Sequence, residues 1–407
     1  MNRIYIWGAG DYAEHVYSMI DQKNCVVQGI VDKDEKKQGL LWNNKLRIGC
    51  PEELCSAEFD YVIFSMLKYV HAVNMGKQMG IPEDKMVIYW KPYHGVEIFK
   101  DKDEEIQKEK KKRKICENRL ESAPYEWGIK AVPVIESSEK ILRKMKEDRS
   151  SLCRFGDGEF EIMRGFSRPW FQTPDITLKE RLIEVLNARN SDINLAIAQN
   201  YTGFECYTEN AADGIREYMS GGTRAAILEF LDMEYVYYNA YVTRPYMIYR
   251  NKENADLLFS LWKEIWEDRS VIIVEGKYGR NGINNDLFAG AKSIRRIICP
   301  AQNAWSVYDE IKNAVKNAAG KEDLICISLG PAATVMAYDL AQMGYQAVDI
   351  GQIDNEYDWY RLGVQERVPI KGKMVAEARN DDCLDSFTDD EYFAQIITKI
   401  DIEDSLC

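Results

Sequence analysis

Cys153-Arg154-Phe155-Gly156-Asp157-Gly158-Glu159-Phe160-Glu161-Ile162-Met163-Arg164-Gly165 is the stretch on which the reading of this chain turns. An apolar stub, Leu152-Cys153, runs into two carboxylates separated by one glycine. In extended or turn geometry residues at i and i+2 face the same side, so Asp157 and Glu159 are expected to reach one hard cation together. Gly156 and Gly158 let a bulky diphosphate approach the backbone, and Arg154 offers a forked donor for phosphate. Such a pair suits nucleotide-sugar chemistry, where a divalent ion neutralises charge on a departing nucleoside diphosphate. An acidic surface turn looks the same in isolation, so the surroundings must decide.

Those surroundings are α/β. Ile193–Ile197, Ser270–Val274, Arg296–Ile298 and Leu324–Ser328 read as strands, the last three as the near-continuous apolar runs of a sheet covered on both faces. Ser138–Lys146, capped by Ser137 or Ser138, and Leu178–Asn187 have helical spacing. Alternating strands and helices predict a parallel sheet, which binds ligands at the carboxyl ends of its strands. Glu275 and Gly276 end one strand and lead into a Gly/Asn-rich loop carrying Arg280, Asn285 and Asp286; that loop either folds over a substrate or merely connects. Ser328-Leu329-Gly330-Pro331-Ala332-Ala333-Thr334 joins a strand to a helix, Val335–Met343, whose start can receive phosphate or ribose; a plain turn is the alternative. Asp349 to Glu356 forms a third, acid-rich strand end. Asp354 and Glu356 are candidate bases for an acceptor hydroxyl, with Asp349 read as structural.

Gln199-Asn200 and Thr243-Arg244 are second-rank donor contacts. Among the aromatics Trp170, Phe171, Tyr201, Tyr235, Tyr237, Tyr238, Tyr241, Tyr246, Trp359 and Tyr360, the Tyr235–Tyr246 stretch could line an acceptor groove, although most such rings pack in cores.

Residues 1–95 read as a smaller Rossmann-like unit. Arg3–Trp7 is a strand, Gly8-Ala9-Gly10 a tight turn, Tyr12–Ile20 a helix, and Val26–Val31 a strand closing on Asp32. Gly8, Gly10, Ala13 and Asp32 fit a dinucleotide-binding pattern, with the acid placed for a ribose hydroxyl. NAD or another nucleotide is one reading, and a degenerate module used for packing the other. Lys100–Arg119 interleaves acids with bases and reads as a charged helical linker within residues 96–130. Residues 131–407 form the larger domain, with an acidic tail after Asp381 read as peripheral.

Composition narrows the classes. The 407 residues carry a net charge of −13, which argues against nucleic-acid or anionic-membrane binding. No apolar run approaches the roughly 20 residues of a membrane span, and no signal peptide is read at the N-terminus. Ten cysteines without a C-x-x-C pair suit reduced thiols and a cytoplasmic location. Three histidines leave little for a histidine-built zinc site.

Four motifs in order, Cys153–Gly165, Val274–Phe288, Ser328–Thr334 and Tyr345–Asp354, resemble the bacterial GT-D-fold glycosyltransferases over residues 130–375. The resemblance implies two Rossmann-like parallel-sheet domains, the second of GT-D type. It further implies hexose transfer, with inversion, from a UDP-sugar (UDP-glucose first) to a glycan acceptor on a lipid or protein carrier. Asp157 and Glu159 would bind manganese or magnesium. Donor binding would fall to Arg154, Phe155, Gly156, Gly158, Glu275, Gly276, Arg280, Asn285, Asp286, Gly330, Pro331, Ala332, Thr334 and Gln352. The family commonly has His where this chain has Gln352, which can hydrogen-bond but cannot exchange a proton near neutral pH. The first unit is similar to the N-terminal domain of bacterial sugar-modifying acetyltransferases. A homo-oligomer is possible. An NAD-dependent nucleotide-sugar-modifying enzyme and a non-catalytic nucleotide-sugar-binding protein are the competing classes.

Overall fold

A computed structural model describes residues 1–20, 22–66, 69–90, 95–98, 103–166, 172–173, 175–375 and 387–401. The chain divides into two compact units, Met1–Arg113 and Lys114–Cys407.

In the first unit the elements run β1 (Asn2–Trp7), α1 (Asp11–Met19), β2 (Cys25–Val31), β3 (Leu41–Trp42), β4 (Leu46–Gly49), β5 (Tyr61–Phe64), α2 (Val70–Gln78), β6 (Met86–Trp90) and β7 (Gly95–Ile98). Among the described residues they form one sheet of order β3-β4-β2-β1-β5-β6-β7, antiparallel only at its two ends. The period-2 alternation sends Trp7, Val31, Phe64 and Ile88 to one core and Ile6, Ile30, Ile63 and Val87 to the other.

The helix α3 (Asp103–Glu126) begins in the charged stretch. Its second half is anchored rather than merely solvated: Arg119 pairs with Asp213 at 3.0 Å and Glu126 with Arg216 at 3.0 Å.

The second unit continues with β8 (Val134–Glu136), α4 (Ser138–Asp148), β9 (Ser151–Phe155), α5 (Asp157–Met163), α6 (Ile176–Leu186), β10 (Ile193–Ile197), α7 (Glu209–Met219), α8 (Thr223–Leu228), β11 (Val236–Asn239), α9 (Asn254–Trp266), β12 (Ser270–Gly276), β13 (Ser293–Cys299), α10 (Tyr308–Ala318), β14 (Leu324–Ser328), α11 (Pro331–Gln342), β15 (Gln346–Asp349), α12 (Ile353–Leu362), α13 (Asp390–Gln395) and β16 (Ile396–Lys399). Ser137 is the N-cap of α4, its side chain accepting from the Lys140 N–H.

Among the described residues the sheet order is β16-β13-β12-β14-β15-β9-β10-β11-β8, parallel throughout. Alternate residues of each strand enter opposite cores. Cys153, Leu195, Val274 and Ile327 face one, and Leu152, Ala196, Ile273 and Cys326 the other. That two-sided burial explains the unbroken apolar runs. Part of the acidic tail does structural work, since β16 adds an edge strand beside β13; residues 381–386 lie outside the described residues. No helix among the described residues is long and apolar enough to cross a membrane.

Candidate functional site

All strands of the second sheet point the same way, so the residues ending β9, β12, β14 and β15 share one edge. The Arg154 guanidinium sits at its centre, donating from Nε to the Asp349 carbonyl at 3.0 Å, from Nη2 to the Asp349 carboxylate at 3.0 Å, and from Nη1 to the Ala240 carbonyl at 3.3 Å. Arg154 therefore ties together the ends of β9, β15 and β11. Burial raises the Asp349 carboxyl's pKa, and Arg154 opposes that rise. The structural reading of Asp349 matches this geometry.

Gly351 lets the clamp form. Its φ is +48°, and a Cβ there would collide with the Arg154 guanidinium. Gly351→Ala is expected to dislodge the guanidinium and destabilise the fold by roughly 1–3 kcal/mol. A urea midpoint equal to that of the parent chain would contradict this.

Asp157 and Glu159 do not lie in extended or turn geometry. They occupy the first turn of α5, where positions i and i+2 are about 200° apart around the axis. Asp157 is exposed, while Glu159 folds back so that its Oε2 accepts the Gly156 N–H at 2.7 Å. Burial and the neighbouring Asp349 charge push the Glu159 carboxyl up to about 7. Both side chains supply hard oxygen donors, and Glu159 sits in excess negative charge that a cation would offset. Among the described residues no group of three or more His, Cys, Asp or Glu could hold a metal ion. Two protein carboxylates, with phosphate oxygens and water completing the shell, suit magnesium or manganese. These are the donor types that a divalent ion shared with a diphosphate takes, although the helix sets the two side chains about 200° apart rather than on one face.

The start of α11 lies beside them. Gly330 is its N-cap at φ +56°, and Pro331 follows at the first helical position, where a missing N–H costs nothing. Thr334 is fully buried, and its hydroxyl donates to the Arg154 carbonyl at 2.8 Å. Ser328 Oγ donates to the Gly351 carbonyl at 2.9 Å. Ala332, Pro331 and Thr334 are thus buried framework, and of this motif Gly330 retains partial exposure. Phe155 is likewise core, whereas the space around a Cβ on Gly158 is open.

At the end of β12, Glu275 is completely buried and both its oxygens are engaged. Oε2 accepts from the Asn281 backbone at 2.6 Å and its side chain at 2.7 Å, and Oε1 pairs with Arg296 at 2.7 Å. It anchors the loop that follows, which corrects the expectation of donor contact. Arg280 is also buried, donating to the Gly372 carbonyl and lying 4.1 Å from the Phe387 ring centroid. Asp286 is exposed but paired with Lys263 at 2.8 Å, which holds its carboxyl down at about 2. Gly276 keeps partial exposure.

Asp354 is not placed to act as a base. It is 1 % exposed; Oδ1 accepts from the Gly282 N–H and Asn285 Nδ2, both at 2.8 Å, and Oδ2 pairs with Lys373. Lys373 also pairs with Asp358 at 2.6 Å, and Asn285 donates to Asp358 at 2.9 Å. Asn285 is therefore a bridge inside this buried network rather than a substrate contact. Burial and the Asp354 charge raise the Asp358 carboxyl. Burial alone would lower the Lys373 ammonium, but the two carboxylates outweigh it and the net shift is upward. Lys373 and Asp358 went unread in the sequence, where Lys371-Gly372-Lys373 looks like surface.

Glu356 faces the other way. It is fully buried; its Oε2 accepts the Tyr246 and Met247 N–H groups at 3.0 and 2.9 Å, and its Oε1 has no partner. Burial raises its pKa, with Arg244 opposing. Gln352, one turn earlier on α12, likewise leaves Oε1 buried and unpartnered. Tyr241 donates to the Asn200 side chain at 2.7 Å, and Tyr218 to the Asp157 carbonyl at 3.2 Å. Tyr201, Tyr237, Tyr246 and Trp359 are core, whereas Tyr235, Tyr238, Tyr241 and Tyr360 keep partial exposure. Trp170 and Phe171 lie outside the described residues.

In the first unit, Gly8 makes its turn at φ +110°. The Asp32 carboxylate accepts the Ala9 N–H at 2.8 Å and the Asp34 N–H at 2.9 Å, with Lys37 at 3.3 Å. The acid is spent on the glycine turn in this conformation. Gly10 caps α1 without a side chain.

Residues 152–378 match the family described as Glycosyltransferase GT-D fold, and residues 1–87 match one described as C2185-like, N-terminal. The chain is 34% identical over 278 residues to "Probable glycosyl transferase Gly" of Streptococcus gordonii, covering 68% of this chain and 40% of that protein. It is also 34% identical over 270 residues to "Glycosyltransferase GlyD" of Streptococcus pneumoniae serotype 4, covering 65% of this chain and 32% of that one. The chain thus spans less than half the length of these curated relatives. Among solved structures, a domain of unknown function 1792 described as having a distinct glycosyltransferase fold aligns with TM-score 0.62 at 31% identity, covering 71% of this chain and 99% of that one. A glycosyltransferase of the same domain type from Streptococcus sanguinis aligns with TM-score 0.59 at 32% identity, covering 66% of this chain and 100% of that one.

Proposed function

Because the chain belongs to the GT-D glycosyltransferase family, we propose that it transfers a hexose, glucose in the first instance, from a UDP-sugar to a glycan acceptor on a lipid or protein carrier. The observation that carries this reading is the edge where Asp157, exposed on the first turn of α5, meets the glycine-lined ends of β14 and β15. The space beside Gly158 is open and Gly330 keeps partial exposure, so backbone there can receive a diphosphate, and the start of α11 favours its charge. Arg154, locked by Asp349, sets the spacing of the strand ends and adds positive potential.

Asp157 and Glu159 would hold manganese or magnesium. A divalent ion there supplies charge neutralisation for the leaving nucleoside diphosphate. Gln352 would orient a sugar hydroxyl. Glu356 replaces Asp354 as the base, since its Oε1 is unpartnered and burial raises its proton affinity. As carboxylate it would take the acceptor hydroxyl's proton during attack on the anomeric carbon.

The direct test incubates the protein with manganese and single nucleotide sugars and measures nucleoside diphosphate release. UDP-glucose is expected to lead, and silence across all UDP-sugars would refute the reading. Glu356→Gln is expected to lower transfer about 100-fold or more. It should also remove an alkaline-rising limb of kcat/KM that lies above the ordinary glutamate range. A parent-like pH profile in that variant would exclude Glu356 as the base.

A further inference from the structure

Six buried side-chain polar atoms have no hydrogen-bond partner among the described residues, and four of them, on Gln199, Thr243, Gln352 and Glu356, belong to three segments that hydrogen bonds join. Gln199 Oε1 follows the end of β10, where Ile197 pairs with Asn239 of β11. The next residue, Asn200, accepts from Tyr241, two positions before Thr243, whose Oγ1 is unpartnered. The same segment reaches Tyr246 and Met247, which donate to Glu356. Glu356 Oε1 and Gln352 Oε1, one helical turn apart on α12, complete the group. Buried polar groups are ordinarily paired, so orphans on three joined segments mark a place where a ligand is missing.

We propose that this wall, at the ends of β10 and β11 beside α12, is the subsite for the terminal sugar of the acceptor. The proposal rests on the glycosyltransferase reading above. Three of the four atoms can only accept hydrogen bonds, and the fourth belongs to a hydroxyl. Such a surface wants O–H donors and repels phosphate. A sugar presents a row of hydroxyls, whereas a nucleoside diphosphate presents acceptors and negative charge. The two substrates thus separate: diphosphate on the glycine-lined side with Arg154 and α11, hydroxyl-rich acceptor on the acceptor-lined side with Glu356. One acceptor hydroxyl placed on Glu356 Oε1 would then be the attacking one, its proton passing to the carboxylate as its oxygen bonds the anomeric carbon and the diphosphate leaves.

Thr243 gives the cleanest test, because it is fully buried and its orphan hydroxyl has an apolar isostere. Thr243→Val in the full chain should melt at the same or a higher temperature than the parent, since an unpaired polar atom is removed. With p-nitrophenyl hexosides as acceptor probes, its acceptor KM should rise about fivefold while the donor KM stays put. Thr243→Ser should show the reverse: a lower melting temperature from the lost methyl, with acceptor KM near the parent value. A lower melting temperature for Thr243→Val would mean that the hydroxyl is already paired, and would overturn the proposal. An unchanged acceptor KM would overturn it as well. Absence of any UDP-sugar turnover in the parent protein would instead sink the glycosyltransferase reading, and the melting comparison would still judge the orphan.

Discussion

Asp157→Ala is expected to reduce metal-stimulated UDP release by about 100-fold or more while leaving the melting temperature within a degree or two of the parent. The asymmetry follows from position. Asp157 is exposed in the first turn of α5, so its removal opens no cavity and gives up favourable charge at a helix start. Glu159→Ala is a poorer probe, because it also strips the cap from the Gly156 N–H and costs about 1 kcal/mol. Glu159→Gln keeps an oxygen for that N–H and removes the charge, so it should share the activity loss without the stability loss. Turnover within threefold of the parent in Asp157→Ala would remove the carboxylate pair from the mechanism.

The largest stability effect is expected at Lys373. Its ammonium is completely buried between Asp354 and Asp358, themselves 1 % and 7 % exposed. Lys373→Met would leave two carboxylates facing one another without a cation, a loss of about 3–5 kcal/mol. Because Asn285 and the Gly282 N–H also bond Asp354, the damage should spread to the loop after β12. Chemical denaturation of the full chain measures it. The triple variant Lys373→Met with Asp354→Asn and Asp358→Asn should recover much of the loss, since no buried charge is then left alone. A single-variant shift below 1 kcal/mol would mean that water reaches the network.

Much of the larger sheet was legible because burial on both faces writes itself as unbroken apolar runs. Leu324–Ser328 and Ile193–Ile197 have the ends read from sequence, and of the two serines read as a cap it is Ser137 that caps α4. The edge strand Ile396–Lys399 escaped because it follows an acidic stretch and is half exposed. At Gly156-Asp157-Gly158-Glu159 a helix start stands where extended or turn geometry was expected. Glutamate three positions after a helix-capping residue is the mark of a capping box, which places the acids on a helix rather than a turn. The same slip hid the difference between Asp354 and Glu356. Two residues apart on α12 they face opposite ways, one to the Gly282–Asn285 loop and the other to Tyr246 and Met247. Lys373 carried no signal, because only the tertiary fold brings two aspartates to it.

In the proposed reaction Asp157 and Glu159 join a divalent ion to the diphosphate of a UDP-sugar at the end of β9. Calorimetric titration of UDP into the full chain, with and without manganese, tests it most directly. Binding should require manganese in the parent and disappear in Asp157→Ala. UDP binding of equal strength without the metal, or unchanged in that variant, would contradict it.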